Sequence, residues 1–148
     1  MNRSTVDVGA AIGVLAAIAV AVVLLVAGTM KLGRPGEWRS QAAGLGVPSV
    51  VAAVVPFVEL ALGALLLVQV QRHVVAWFAV ALFGLFTALL GVRIAQGRRP
   101  PCACFGSLSS TPIGPGQLLR NVAFIALAVA AAVLCRRAQQ RRERFRRV

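Results

Sequence analysis

VGAAIGVLAAIAVAVVLLVAGTM, residues 8–30, decides the fold, because it runs for twenty-three residues without a charge. As a helix rising about 1.5 Å per residue, it outreaches the roughly 30 Å hydrocarbon layer of a bilayer, which takes about 20 residues to cross. Three further apolar runs follow at 49–70, 74–95 and 117–135, each with a single charged residue. The 148-residue chain is 59% hydrophobic and 14% charged, with a mean hydropathy of +0.83. Such a composition excludes a soluble domain of this length. Only helices and closed barrels satisfy their backbone polar groups in lipid, and none of the runs shows the dyad alternation of barrel strands. The expected fold is therefore all-α, an integral membrane four-helix bundle over residues 1–135 followed by a basic tail, 136–148.

Arg3 precedes the first run, and Val26-Ala27-Gly28 loosely resembles a signal-peptidase site. A signal peptide's apolar region spans about 7–15 residues, so the run reads as a retained span. The net charge of +12 is concentrated in the tail, where Arg136, Arg137, Arg141, Arg142, Arg144, Arg146 and Arg147 follow the last span directly. In a soluble protein this would suggest nucleic acid. Beside a membrane it reads as a positive-inside signal that also touches anionic headgroups, so no nucleic-acid partner is expected. With four spans, a cytoplasmic tail makes the amino terminus cytoplasmic too, and the loop at 33–48 and the loop after the third span become extracytoplasmic. The bias is modest, since Lys31, Arg34, Arg39, Arg93, Arg98, Arg99 and Arg120 would fall on the outward side. Trp38 and Trp77 suit interfacial positions.

Small residues punctuate the spans: Gly9 and Gly13 in the first, Ala52, Ala53, Ala61, Gly63 and Ala64 in the second, Gly84 and Gly91 in the third. They permit close helix approach, within one bundle or across the seam of a homo-oligomer. Gln71-Arg72-His73 reads as a minimal turn that makes the second and third spans antiparallel, with His73 a turn residue. Pro48 suits the first turn of the second helix. Pro56, inside it, removes a backbone hydrogen bond and should bend the helix. Eleven steps of about 1.5 Å from Pro48 put Glu59 roughly 16 Å along that helix, inside the hydrocarbon layer. An intramembrane carboxylate calls for a partner, and Lys31, Arg93 and Arg120, all toward the same half, are the candidates. Glu59 then either locks helix packing or serves proton transfer or ligand binding.

The longest polar break between spans contains Pro100-Pro101-Cys102-Ala103-Cys104-Phe105-Gly106. Extended, residues two apart are separated by about 6.6–7.2 Å, while disulfide Cα atoms usually lie about 4.4–6.8 Å apart. Closing a bond between Cys102 and Cys104 demands a bent backbone and favours easy reduction over permanent bracing. Stapling so short a loop removes little chain entropy. Arg98 and Arg99 just upstream favour the attacking thiolate. Zinc would lack ligands, so no resident metal is assigned, with copper(I) between two thiolates as the alternative chemistry. Cys135 closes the fourth span about 18 residues from its outer side, or roughly 27 Å at 1.5 Å each, too far to join the pair. Lacking a second dithiol, the chain has no all-cysteine path across the membrane.

Four short motifs lie in order along nearly the whole chain. They are Gly28-x-x-Lys31-Leu32, Pro56-x-x-Glu59 with Gly63, Cys102-x-Cys104-Phe105-Gly106, and Leu119-Arg120-Asn121. In these the chain resembles the MauE-like branch of the DoxX and MauE membrane proteins, with Trp38 standing where Phe is expected. The resemblance implies a multi-pass cell-membrane protein that works with an extracytoplasmic thioredoxin-like partner, in the methylamine-utilisation case during maturation of a disulfide-rich dehydrogenase. Other DoxX relatives bring in a quinone as cofactor. The leading expectation is a thiol:disulfide oxidoreductase or redox accessory protein in which Cys102 and Cys104 cycle between dithiol and disulfide. Glu59, with Lys31, Arg93 or Arg120, would support it as a proton or quinone site. Two alternatives stand beside it: a non-catalytic scaffold for an exported protein, and a small transporter coupled through Glu59.

Overall fold

A computed structural model describes residues 3–98 and 114–146. Within them lie α1 (Arg3–Gly33), α2 (Pro35–Gly44), α3 (Ser49–Leu67), α4 (Arg72–Ala95) and α5 (Pro115–Arg146), with no strand among the described residues. All four apolar runs form helices long enough to cross a membrane: Val8–Gly33, Ser49–Leu67, Arg72–Ala95 and Pro115–Arg141. Large apolar side chains such as Leu15, Val50, Phe57, Phe78 and Leu119 point outward on every spanning helix. That surface would aggregate in water and is what a bilayer solvates.

Close approaches at glycine fix the helix register. A Cβ on Gly28 would lie 2.9 Å from the Pro56 carbonyl and from Leu60, and one on Gly63 would lie 2.8 Å from Leu25. The backbones of α1 and α3 therefore cross tightly and antiparallel. Gly13 does the same for α1 and α5, against Leu134 and Cys135. Phe83 packs tilted on Phe124 with ring centroids 5.7 Å apart, and Trp77 shares a groove with Val133 and Arg136, so α4 runs antiparallel to α5. The start of α1 and the end of α5 thus share one end of the bundle, while α2, Arg98 and Gly114 stand at the other. Gly84 and Gly91 face open space instead.

Helix α1 packs most extensively on α3 and α5, and α4 on α5, whereas α3 and α4 touch little although only residues 68–71 separate them. Gln69 and Gln71 turn the chain there with φ of 60° and 41°. Two cores result. One, toward the chain termini, is built on Ala16, Ala17, Ala21, Ala76, Ala79, Ala128, Ala131 and Ala132 around Val20, Leu24 and Phe83. The other gathers Trp38, Ala42 and Leu45 against Ala52, Phe86 and Leu90, so that α2 and the turn after it wedge between α3 and α4.

This wedge departs from the expected loop at 33–48. The stretch is too polar to span a membrane, but Trp38, Ala42 and Leu45 fall at helical spacing with Gln41 and bury one face. Pro35 starts the helix where no donor is lost. Trp38 is accordingly 2% exposed, a core residue rather than an interfacial one. Helix α5 runs on past Cys135 to Arg146 without a break, so the basic segment continues the last span as helix.

Candidate functional site

Pro56 sets up the local architecture. Having no N–H, it cannot bond the carbonyl of Ala52 one turn back, and a carbonyl orphaned in hydrocarbon is costly. The indole Nε1 of Trp38 donates to that oxygen at 2.6 Å. Pro56 of α3 thus creates the socket into which α2 plugs. The ring it holds there stands 6.3 Å, centroid to centroid, from Phe86 of α4.

Directly beneath, Lys31 from the last turn of α1 meets Glu59 from the middle of α3. Its Nζ donates to Oε1 at 2.6 Å and to Oε2 at 2.8 Å. Both side chains are nearly sealed from solvent, at 1% and 5% exposure. Ten steps from Ser49 put Glu59 about 15 Å along α3, well inside the span. The ammonium also lies 4.9 Å from the centroid of Trp38 and 5.4 Å from that of Phe86, so two aromatic faces supplement the carboxylate. Removing two charges from water is repaid only where geometry and additional contacts are this complete.

All four spans contribute to a small cavity beside the pair. Val23, Ala27 and Lys31 come from α1, Glu59 from α3, Phe83 and Phe86 from α4, and Asn121 and Phe124 from α5. Its volume among the described residues is about 20 Å³, room on the scale of a single water. The arrangement can hold a proton-bearing pair nearly sealed from solvent.

Of the four supporting residues expected from sequence, Lys31 and Glu59 are brought together. Arg93 is spent elsewhere: its Nε donates to the Leu45 carbonyl at 3.1 Å and its Nη1 to Gln96 Oε1 at 3.0 Å. The guanidinium lies over Gly46, whose φ of 78° and missing Cβ give it room. Arg93 thereby pins the turn after α2 to the end of α4. Arg120 is half-buried in the second turn of α5. Its neighbour Asn121, 2% exposed and lining the cavity, is the site residue the sequence reading passed over as part of a motif. An amide one turn inside an apolar span was the available signal. Cys102 and Cys104 lie outside the described residues. Cys135 is buried at the opposite end, with its Sγ against Gly13.

Four apolar spans, a capped end and a charge pair buried between helices define a polytopic helical membrane protein with an intramembrane ion-pair site. The family described as methylamine utilisation protein MauE matches residues 9–134, and the chain belongs to that family. Membership fits a membrane accessory role in methylamine utilisation. Comparison with curated proteins and with solved structures finds no match.

Proposed function

We propose that this MauE-family protein is a membrane redox accessory protein that exchanges disulfides between Cys102–Cys104 and an extracytoplasmic thioredoxin-like partner. The observation that carries the reading is the sequence Arg98-Arg99-Pro100-Pro101-Cys102-Ala103-Cys104 itself: two thiols, with basic neighbours, in the connection between α4 and α5. The family match supports it. A further support is that Arg98 and Gly114, which flank the connection, stand at the same end of the bundle as α2 and the Lys31–Glu59 pair.

In the exchange, one thiolate attacks the partner's disulfide, forming a mixed disulfide and releasing one partner thiolate. The second cysteine then attacks the mixed bond and releases the other. Two electrons and two protons pass from the cysteine pair to the partner, and the reverse sequence returns them. Basic residues favour the thiolate that starts each step. Lys31 and Glu59 are assigned a supporting role, holding the end of the bundle rigid around a proton-bearing pair, with Arg93 fixing the α2 turn above them. Single Cys102→Ser and Cys104→Ser variants test the reading. At least one should accumulate a mixed disulfide with the partner, visible as a reductant-sensitive mass increase. Full activity of the double variant in cells, with nothing trapped by either single one, overturns it.

The completeness of the Lys31–Glu59 pair favours a second reading, a non-catalytic scaffold whose charges only lock the helices. It requires one constant thiol state at Cys102 and Cys104.

A further inference from the structure

At the end of the bundle opposite α2, Trp77 from α4 and Val133, Arg136, Arg137 and Gln140 from α5 line a groove of about 230 Å³. A second groove of about 400 Å³ continues from Arg137 and Gln140 to Arg141 and Arg144. We propose that the first groove is a binding site for the headgroup of an anionic phospholipid, with its phosphate held by Arg136 and Arg137.

The level of the groove supports this. From Pro115 to Arg136 is 21 helical steps, about 32 Å at 1.5 Å each, close to the thickness of the hydrocarbon layer. The two guanidinium groups therefore emerge where headgroups begin. Trp77, 46% exposed on the facing helix, is the kind of amphipathic ring that settles at this depth. The chemistry agrees. Among the described residues the ion pairs are Lys31–Glu59 and Arg34–Glu37, so no described carboxylate neutralises Arg136, Arg137 or Arg141. The nearby Glu143 lines neither groove and accepts from Gln139 at 3.4 Å. Two adjacent planar forks match a phosphate bidentately, and the Gln140 amide can donate to ester or glycerol oxygens. Among the described residues no carboxylate lines the groove to receive a choline or ethanolamine amine, which selects an anionic headgroup over a zwitterionic one. Val133 and the Trp77 ring give the groove an apolar wall for the start of an acyl chain.

The test is native mass spectrometry of the full chain released from mixed phosphatidylglycerol and phosphatidylcholine. The expected result is one phosphatidylglycerol retained about tenfold over phosphatidylcholine, a preference erased in Arg136→Gln/Arg137→Gln and intact in Arg39→Gln/Arg98→Gln at the other end. Arg136→Lys/Arg137→Lys keeps the charge but removes the forks and should lose most of the preference. Both substituted side chains are exposed, so the core is undisturbed. Equal losses in the two glutamine variants, or full retention in the lysine variant, reduce the groove to diffuse charge and overturn the proposal. Complete displacement of the lipid by millimolar inorganic phosphate would make it a free-anion site and overturn it as well.

Discussion

The two cores of this bundle are packed by opposite means. Toward the start of α1 and the end of α5, alanines and Gly13 let α1 and α4 each pack closely on α5, and the buried cluster gathered there is apolar. Beneath α2, a tryptophan, a phenylalanine and a bidentate ion pair meet, and the indole N–H and both charges have partners, whereas the buried Gln41 Oε1 has none among the described residues. In lipid there is no hydrophobic force between helices, so small-residue packing suffices to assemble the first half. The second half spends that stability on charges, which within a membrane mark function more often than architecture. On the proposed reading, the alanine core is the platform and the α2 end the working site.

The comparison breaks most readily at the charges. Glu59→Gln leaves the Lys31 ammonium buried without its counter-charge and should cost about 3–5 kcal/mol in unfolding from micelles. Lys31→Met/Glu59→Gln should recover part of that loss, because both buried charges are gone. A smaller effect is expected at the socket. Trp38→Phe keeps the ring but removes the donor to Ala52, costing about 1–3 kcal/mol and loosening α2, which hydrogen exchange at residues 35–44 would register. In the close-packed region, Gly63→Ala pushes a methyl to 2.8 Å from Leu25 and should cost about 1–3 kcal/mol. Gly84→Ala is the smallest change: nothing lies within 4 Å, and thermal stability should stay within about 0.5 kcal/mol. Equal effects at Gly63 and Gly84 would mean that the glycines do not set the register.

The spans were legible in the sequence because crossing a bilayer imposes length and composition on a contiguous stretch, and 8–30 meets both without ambiguity. Helix α2 was not, because Pro35, Gly36, Gly44 and Gly46 together with three nearby charges read as a loop. Its helicity comes from burying Trp38, Gln41, Ala42 and Leu45, a tertiary gain, although the 38, 41/42, 45 spacing was there to be noticed. Glu59 announced itself as a carboxylate inside an apolar run. That Lys31 would be its partner, with Arg93 serving the α2 turn, depended on helix register, which hydropathy does not encode. Pro56 foretold an orphaned carbonyl at Ala52. The donor that fills it comes from a helix the sequence did not reveal.

The central claim, that Cys102 and Cys104 exchange with a partner, is tested most directly by their oxidation state in living cells. Alkylation followed by mass measurement, with cells given reductant or oxidant, should show this pair switching between dithiol and disulfide while buried Cys135 stays a thiol. A pair fixed in one state under both treatments would contradict the account.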